Sequence, residues 1–411
     1  MGEPEAAAAR RAILSGWVTQ GPEVEAFEAE FAAYVGAPHA CAVSSGTAAL
    51  HLALLAVGVR PGDEVVTVSH SFIATANVVH HCGATPVFVD IEPGTFNIDP
   101  ALVEAAIGPR TRAVLCVHQI GLPCDLRQVL AIARRRGVAV VEDAACAVGA
   151  EIDVDGSGRW ERIGRPHGDV ACFSFHPRKL VSTGDGGMIT TRDPAIDRFA
   201  RLARHHGMDT SDRARHESAT VAVEAYALVG YNYRMTDIQA AVGREQLARL
   251  PEMVARRREL AAEYGRRLAA IAGLGLPVEP SWARSNFQSY AVRLPDGCGQ
   301  RAVMQHMLDA GVSTRRGVMC AHREPAYATA AWACTPGAAD GAAPAARACD
   351  CGPGACRRLR ESERAQDRCL LLPLFHELTG ADQHEVAAAL ARAVAAGRTS
   401  DARPVPTDRD A

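Results

Sequence analysis

From about residue 39 to residue 191, short apolar runs alternate with longer stretches of helical character. The runs are HACAVS (39–44), EVVTVS (64–69), TPVFVD (85–90), RAVLCVH (112–118), VAVVED (138–143), VACFSF (170–175) and GMITT (187–191). Most are apolar throughout rather than alternating, the pattern of strands buried on both faces. Between the earlier runs lie TAALHLALLAVG (47–58), ATANVVHHCG (74–83), PALVEAAIG (100–108) and LRQVLAIARRRG (126–137), several of which stop at glycine. This alternation predicts an α/β fold, with a mostly parallel seven-stranded sheet covered on both faces. Only a glycine-rich loop, residues 176–186, separates VACFSF from GMITT. It is too short for a helical crossover, so those two strands are expected to run antiparallel.

Beyond residue 236 the pattern changes. Residues 236–272 read as one or two long helices with Arg/Glu-rich polar faces. A strand, SYAVRL (289–294), and helices at 299–310 and 381–396 follow. The expected organisation is an N-terminal arm (1–20), a large domain (21–250) and a smaller C-terminal α+β domain (251–397). Residues 330–366, rich in Ala, Gly, Pro and Cys, read as an irregular insertion, and 398–411 as a disordered tail. No repeat of solenoid period is present.

Composition narrows the functions. The 411 residues carry 48% apolar and 22% charged residues and a net charge of −3. That balance gives no field to attract nucleic acid or an anionic membrane. No apolar run approaches the ~20 residues of a membrane span, and the first residues lack a secretory apolar core. A cytoplasmic protein is expected. The 13 cysteines are odd in number and mostly scattered in apolar runs, which fits reduced, buried thiols. Cys334, Cys349, Cys351 and Cys356 cluster, but their spacing does not match a pair of zinc-binding C-x2-C units, so no metal is expected.

Ligands of open parallel sheets bind beyond the C-terminal strand ends, and several polar residues should collect there. Ser45-Gly46-Thr47 ends the first strand and begins a helix, so it is either a plain N-cap or an anion cradle. Phe72 follows the second strand, either as a core ring or as a ring stacked on a flat heterocycle. Asp143 ends VAVVED, either as a helix cap or as a partner for a cation or protonated ring nitrogen. Ser174 is the penultimate residue of VACFSF, and Lys179 follows it five residues later. The chain is poor in lysine, which weakens the reading of Lys179 as a surface cation. Together these residues match one chemistry. Pyridoxal phosphate needs an anion cradle, a stacking ring, a carboxylate for its ring nitrogen and a lysine amine for its aldehyde.

The stretches SSGTAALHLAL (44–54), PGDEVVTVSHSFIATAN (61–77), ATPVFVDIEPGTFNID (84–99), VEDAACAVGA (141–150), GDVACFSFHPRKLVSTGDGGMITT (168–191) and GYNYRMTDIQAAVGREQLARL (230–250) resemble the DegT/DnrJ/EryC/StrS sugar aminotransferase family. That is a group of fold-type-I pyridoxal phosphate enzymes. HREPAY (322–327) and LLLPLFHELTGADQHEV (370–386) are similar too. The resemblance implies that Lys179 forms the Schiff base and that Asp143 pairs with the ring nitrogen. It implies that Phe72 stacks on the ring and that Gly46, Thr47 and Ser174 hold the phosphate. Asn232 would reach the phosphate of a neighbouring subunit, so a homodimer with shared sites is implied. The donor would be glutamate or glutamine and the acceptor a keto sugar, most often nucleotide-linked. His322, Arg323, Tyr327 and Arg234 are candidate acceptor contacts. The family often has glutamine or histidine where this chain has Cys146, a weaker hydrogen-bonding group near the ring. Other readings are an aminotransferase for a keto-cyclitol, a dehydratase and a non-catalytic homologue. Lys179 argues against the dehydratase, whose relatives carry histidine there. The full residue set argues against the homologue.

Overall fold

A computed structural model describes residues 1–210, 215, 220–221, 223–334, 351 and 354–400. Each of the seven runs forms a strand of one sheet. They are β1 (His39–Val43), β2 (Glu64–Val68), β3 (Thr85–Val89), β4 (Thr111–Val117), β5 (Ala139–Asp143), β8 (Val170–Ser174) and β9 (Gly187–Thr191). Two short strands, β6 (Glu151–Ile152) and β7 (Glu161–Arg162), lie outside this sheet and pair with Ala283–Arg284. The main sheet runs β1-β9-β8-β5-β4-β2-β3, and Ala333–Cys334 adds a short eighth strand beside β3. Only β9 is antiparallel to its neighbours, β1 and β8.

Helix α1 (Glu3–Ser15) packs Ala8 and Ala12 against Ala241, and helices α2 (Pro22–Val35), α3 (Gly46–Ala56), α4 (Ala74–His81), α5 (Pro100–Ala106), α6 (Leu126–Arg136) and α7 (Pro194–Ala203) surround the sheet. One face buries Leu50, Leu52 and Leu54 of α3 with Val78 and Val79 of α4 and Ile196 of α7. The other face buries α2, α5 and α6. There Phe27 meets Phe175 at 5.3 Å and Phe31 meets Phe173 at 5.0 Å between ring centroids. Burial on both faces explains why the strands carry no polar alternation.

A single helix runs from Asp237 to Leu268, with Pro251 inside it. Residue 250, where a domain boundary is expected, therefore lies within continuous helix. Thr236 and Gln239 close a capping box at its start. Asp237 also receives the amides of Gly21, Glu23 and Val24 at 2.7, 3.1 and 3.0 Å, fixing the start of α2. The far end of this helix packs into the smaller C-terminal domain. There Leu260 and Tyr264 share a core with Tyr290, Leu370 and Leu390. A three-stranded antiparallel sheet of Tyr290–Arg293, Cys369–Leu372 and Arg315–Arg316 carries that core.

The segment expected to be irregular, 330–366, holds ordered pieces at both ends. Besides the edge strand, a helix spans Arg360–Arg368. Asp90 at the end of β3 accepts from Glu361 N (2.9 Å), Ser362 N (2.8 Å) and Ser362 Oγ (2.7 Å), so a distant carboxylate caps this helix. The C-terminal helix spans Gly380–Ser400, longer than the expected 381–396 and extending into the expected tail. The remaining tail, 401–411, and Cys349 of the cysteine cluster lie outside the described residues. Among the described residues no helix is long and apolar enough to cross a membrane.

Candidate active site

Strands β5 and β8 are parallel neighbours, with Asp143 opposite Cys172. Their C-terminal turns therefore leave the sheet side by side. Asp143 sits at the end of β5 and is buried. Its carboxylate accepts from Thr75 Oγ1 at 2.8 Å and from Ala145 N at 3.2 Å. Ser71 Oγ lies 2.7 Å from Thr75 Oγ1. Since the Thr75 proton goes to Asp143, Ser71 donates to Thr75, and the relay Ser71–Thr75–Asp143 holds the carboxylate in one orientation. Thr75 lies on α4, 68 residues away in sequence, and sequence reasoning did not single it out.

Lys179 is the only lysine in the chain. It is half-buried in the turn after β8. Its Nζ donates to Cys146 Sγ at 3.0 Å, so the Cys146 turn and the lysine turn meet. A brace from the C-terminal domain fixes both. Asn286 Nδ2 donates to Cys146 O and Val148 O, each at 2.8 Å. Its Oδ1 accepts from Gln288 N at 2.8 Å. The Gln288 side chain donates to Arg178 O at 2.6 Å and accepts from Leu180 N at 3.2 Å, gripping the peptides on both sides of Lys179. Gly121 has φ +99° and faces the Asn286 amide so closely that a Cβ would collide with it. Neither Asn286 nor Gln288 carries a motif that would have revealed it.

At the end of β1, Ser45 caps α3 by accepting from Ala48 N at 3.1 Å. The next residues, Gly46 and Thr47, lie in the first turn, where no helical carbonyl is available to their amides. A Cβ on Gly46 would come within 2.7 Å of Ser174 Cβ, so glycine permits the helix start to approach Ser174. Gly46 thus lies against Ser174, and the first-turn amides with the Thr47 and Ser174 hydroxyls are groups suited to an anion. Phe72 lies just before α4 with 61% of its surface exposed, so it is not a core residue. Amides for a phosphate, a buried carboxylate for a cationic ring nitrogen and a single amine together fit pyridoxal phosphate.

A second buried pair stiffens the floor below Asp143. His118 Nδ1 accepts from Cys124 N at 3.1 Å, so the proton sits on Nε2 and is donated to Glu142 at 3.0 Å. Burial alone would raise the Glu142 pKa. The His118 hydrogen bond, His167 and the Gly168 amide outweigh it and leave Glu142 below its ordinary value.

The remaining sequence candidates are placed differently. Asn232 is exposed on the loop before the long helix. Arg234 Nη1 donates to His205 Nδ1 at 2.9 Å. His322 is buried, with Nδ1 2.6 Å from Ser69 Oγ and Nε2 3.0 Å from Glu363 Oε1. Burial lowers its pKa, and Glu363 only partly opposes this. Arg323 is paired with Asp367 at 2.7 Å. Tyr327 is buried against Phe88, and its hydroxyl is 2.9 Å from Asn77 Oδ1. These three side chains hold the 320–334 segment to the sheet edge and the Arg360–Arg368 helix. Cys334, Cys351 and Cys356 pack in the same apolar cluster. Among the described residues no group of three metal-binding side chains is assembled.

The sequence model of the DegT/DnrJ/EryC1/StrS aminotransferase family matches residues 1–347. The GDP-perosamine synthase of Caulobacter vibrioides is 42% identical over 316 residues, spanning 76% of this chain and 81% of that protein. The erythromycin biosynthesis sensory transduction protein EryC1 of Saccharopolyspora erythraea is 44% identical over 324 residues, 78% of this chain and 82% of that protein. Among solved structures, DesV of S. venezuelae is 35% identical with a TM-score of 0.81, covering 95% of this chain and 94% of that one.

Proposed function

This chain belongs to the DegT/DnrJ/EryC1/StrS aminotransferase family and is a pyridoxal-phosphate-dependent transaminase, and from that premise we propose that it moves an amino group from glutamate or glutamine to a nucleotide-linked keto sugar. The observation that carries the residue assignment is the convergence of Lys179, Asp143 and the Gly46–Thr47–Ser174 cradle on one end of the sheet. Bound pyridoxal phosphate supplies an electron sink that makes the proton next to the reacting nitrogen removable.

Each residue then has a task. The amides of Gly46 and Thr47 and the hydroxyls of Thr47 and Ser174 bind phosphate. Asp143, oriented by Thr75, keeps the ring nitrogen protonated. Phe72 covers one ring face. Lys179 would hold the cofactor aldehyde at rest, and its free amine would take up and return the proton of the donor α-carbon. The nucleotide-linked acceptor is supported by the relative named GDP-perosamine synthase.

The site is completed in a homodimer of the cytoplasm. Val221, Val223 and Val229 are 93, 84 and 95% exposed on the stretch that leads to Asn232, an apolar surface of the kind buried between subunits. Asn232 there reaches the phosphate in the partner subunit. His322, Arg323 and Tyr327 act on the acceptor only through the segment they anchor.

The test is direct. The purified chain, loaded with pyridoxal phosphate, is incubated with glutamate or glutamine and a panel of keto sugars and keto-cyclitols, and amine products are identified by mass spectrometry. Amination of a nucleotide-linked keto sugar is expected. Amination of keto-cyclitols alone would overturn the substrate reading. Sedimentation as a monomer would overturn the shared site.

A further inference from the structure

The contact between Lys179 and Cys146 points to a task for the cysteine. We propose that Cys146 is a positioning residue that holds the Lys179 amine ready for the cofactor. A lysine stem is long and loses much rotamer freedom when its end is fixed. Here the end is fixed before any ligand arrives, by a 3.0 Å hydrogen bond to sulfur.

The geometry makes this more than a chance contact, because both partners are held by one device. Asn286 grips the carbonyl of Cys146. Gln288, bonded to Asn286 through its own amide, grips the carbonyl of Arg178 and the amide of Leu180. A closed circuit therefore runs from the Cys146 backbone through Asn286 and Gln288 to the two peptides flanking Lys179, and back through the Nζ–Sγ bond. Asn286 is fully buried and Gln288 nearly so, which keeps the circuit from being loosened by water. The thiol itself stands apart from most of its kind. Among the described residues Cys146 and Cys351 are half-buried, and every other cysteine is buried. A pre-held nucleophile reacts faster because its orientation is settled beforehand.

The composition gives a clean readout. With no other lysine in the chain, imine formation and amine labelling report on Lys179 and the N-terminus alone. The first experiment rests on the pyridoxal phosphate reading. Capture of pyridoxal phosphate by the cofactor-free full chain is followed by stopped-flow absorbance in the parent, Cys146→Ala and Cys146→Ser. Binding of pyridoxamine phosphate, which cannot bond to the lysine, is measured alongside. Cys146→Ala is expected to slow capture about tenfold, and Cys146→Ser to restore it to within about threefold. Pyridoxamine phosphate affinity should be the same in all three. Capture by Cys146→Ala at the parent rate would overturn the proposal. Loss of pyridoxamine phosphate binding in that variant would also overturn it, because the cysteine would then be a wall of the cofactor seat.

The second experiment needs no cofactor and remains decisive if the parent binds neither phosphate compound, a result that would sink the aminotransferase reading instead. Alkylation of Cys146 by iodoacetamide is timed by peptide mass mapping in the parent and in Lys179→Met. The variant is expected to react about tenfold more slowly, because the half-buried sulfur is no longer held in place by the amine. Equal rates would overturn the proposal. Lys179→Gln asks the same question should the Met variant not fold.

Discussion

Two polar clusters stand near the ends of the same sheet, and they differ in what their side chains have left to give. Around Lys179 the groups are pre-oriented with capacity to spare. The Asp143 oxygens each take one donor, the amine rests on a sulfur, and the first amides of α3 lie where no helical carbonyl reaches them. Around His322 the polar atoms are committed to their own chain. Both His322 nitrogens, the Arg323 guanidinium and the Tyr327 hydroxyl have protein partners. Proximity to a site is thus not the same as availability to it. A saturated polar cluster contributes stability, and one with open bonding capacity contributes chemistry.

The contrast can be broken most sharply at Lys179. Lys179→Ala should lower transamination by about a thousandfold or more. Its urea midpoint should stay near the parent value, since the amine has one sulfur partner and no buried charge partner. Activity that survives would remove the amine from the chemistry. At the other cluster the effects should exchange places. His322→Ala empties a buried position and removes the imidazole bonds to Ser69 Oγ and Glu363 Oε1, so urea unfolding should show a loss of about 3 kcal/mol. The kcat of the folded fraction should stay within about threefold of the parent. A fall in kcat at unchanged stability would put His322 against the acceptor.

The smallest effect at neutral pH is expected at His70, which lies between Ser69 and Ser71 and thus between the two clusters. Its ring is buried against Phe96, and its nitrogens find no hydrogen-bond partner among the described residues. Burial pushes its pKa down from 6.5 to about 3. The unfolded chain therefore protonates His70 below pH 6.5, while the folded chain resists protonation until near 3. Stability from this residue is complete above 6.5 and is lost as pH falls through that interval. His70→Phe should match the parent within about 1 kcal/mol at neutral pH. Across the acid limb its urea midpoint should decline less steeply. A slope equal to the parent's would show that His70 is not the titrating group.

The parts of the site that were legible in the sequence are those that follow a strand directly. Asp143 ends β5, Ser174 ends β8, Gly46 follows β1 by a short turn, and each strand announces itself by an unbroken apolar run. Thr75, Asn286 and Gln288 were not legible. Their partners lie 68, 140 and 110 residues away, and nothing local marks a threonine, asparagine or glutamine as bound to them. The edge strand Ala333–Cys334 is two residues long and has no period to detect. The Arg360–Arg368 helix takes its cap from Asp90, 271 residues earlier than Glu361 in the chain, so its start lacked the usual local signal. Residues 236–272, which read as one or two helices, hold a single helix through Pro251, because its two halves are packed into the two domains.

The sequence by itself determined the alternating parallel sheet, its one antiparallel return and the identity of the groups at its ends. Those features depend on backbone periodicity and on residues adjacent to it. Only the tertiary structure decided which of those groups remain free to act. Hydrogen-bond capacity is consumed by partners that are near in space, and chain order says nothing about them. It is folding that closes the ring from Cys146 through Asn286 and Gln288 to Lys179 and that ties His322 between Ser69 and Glu363.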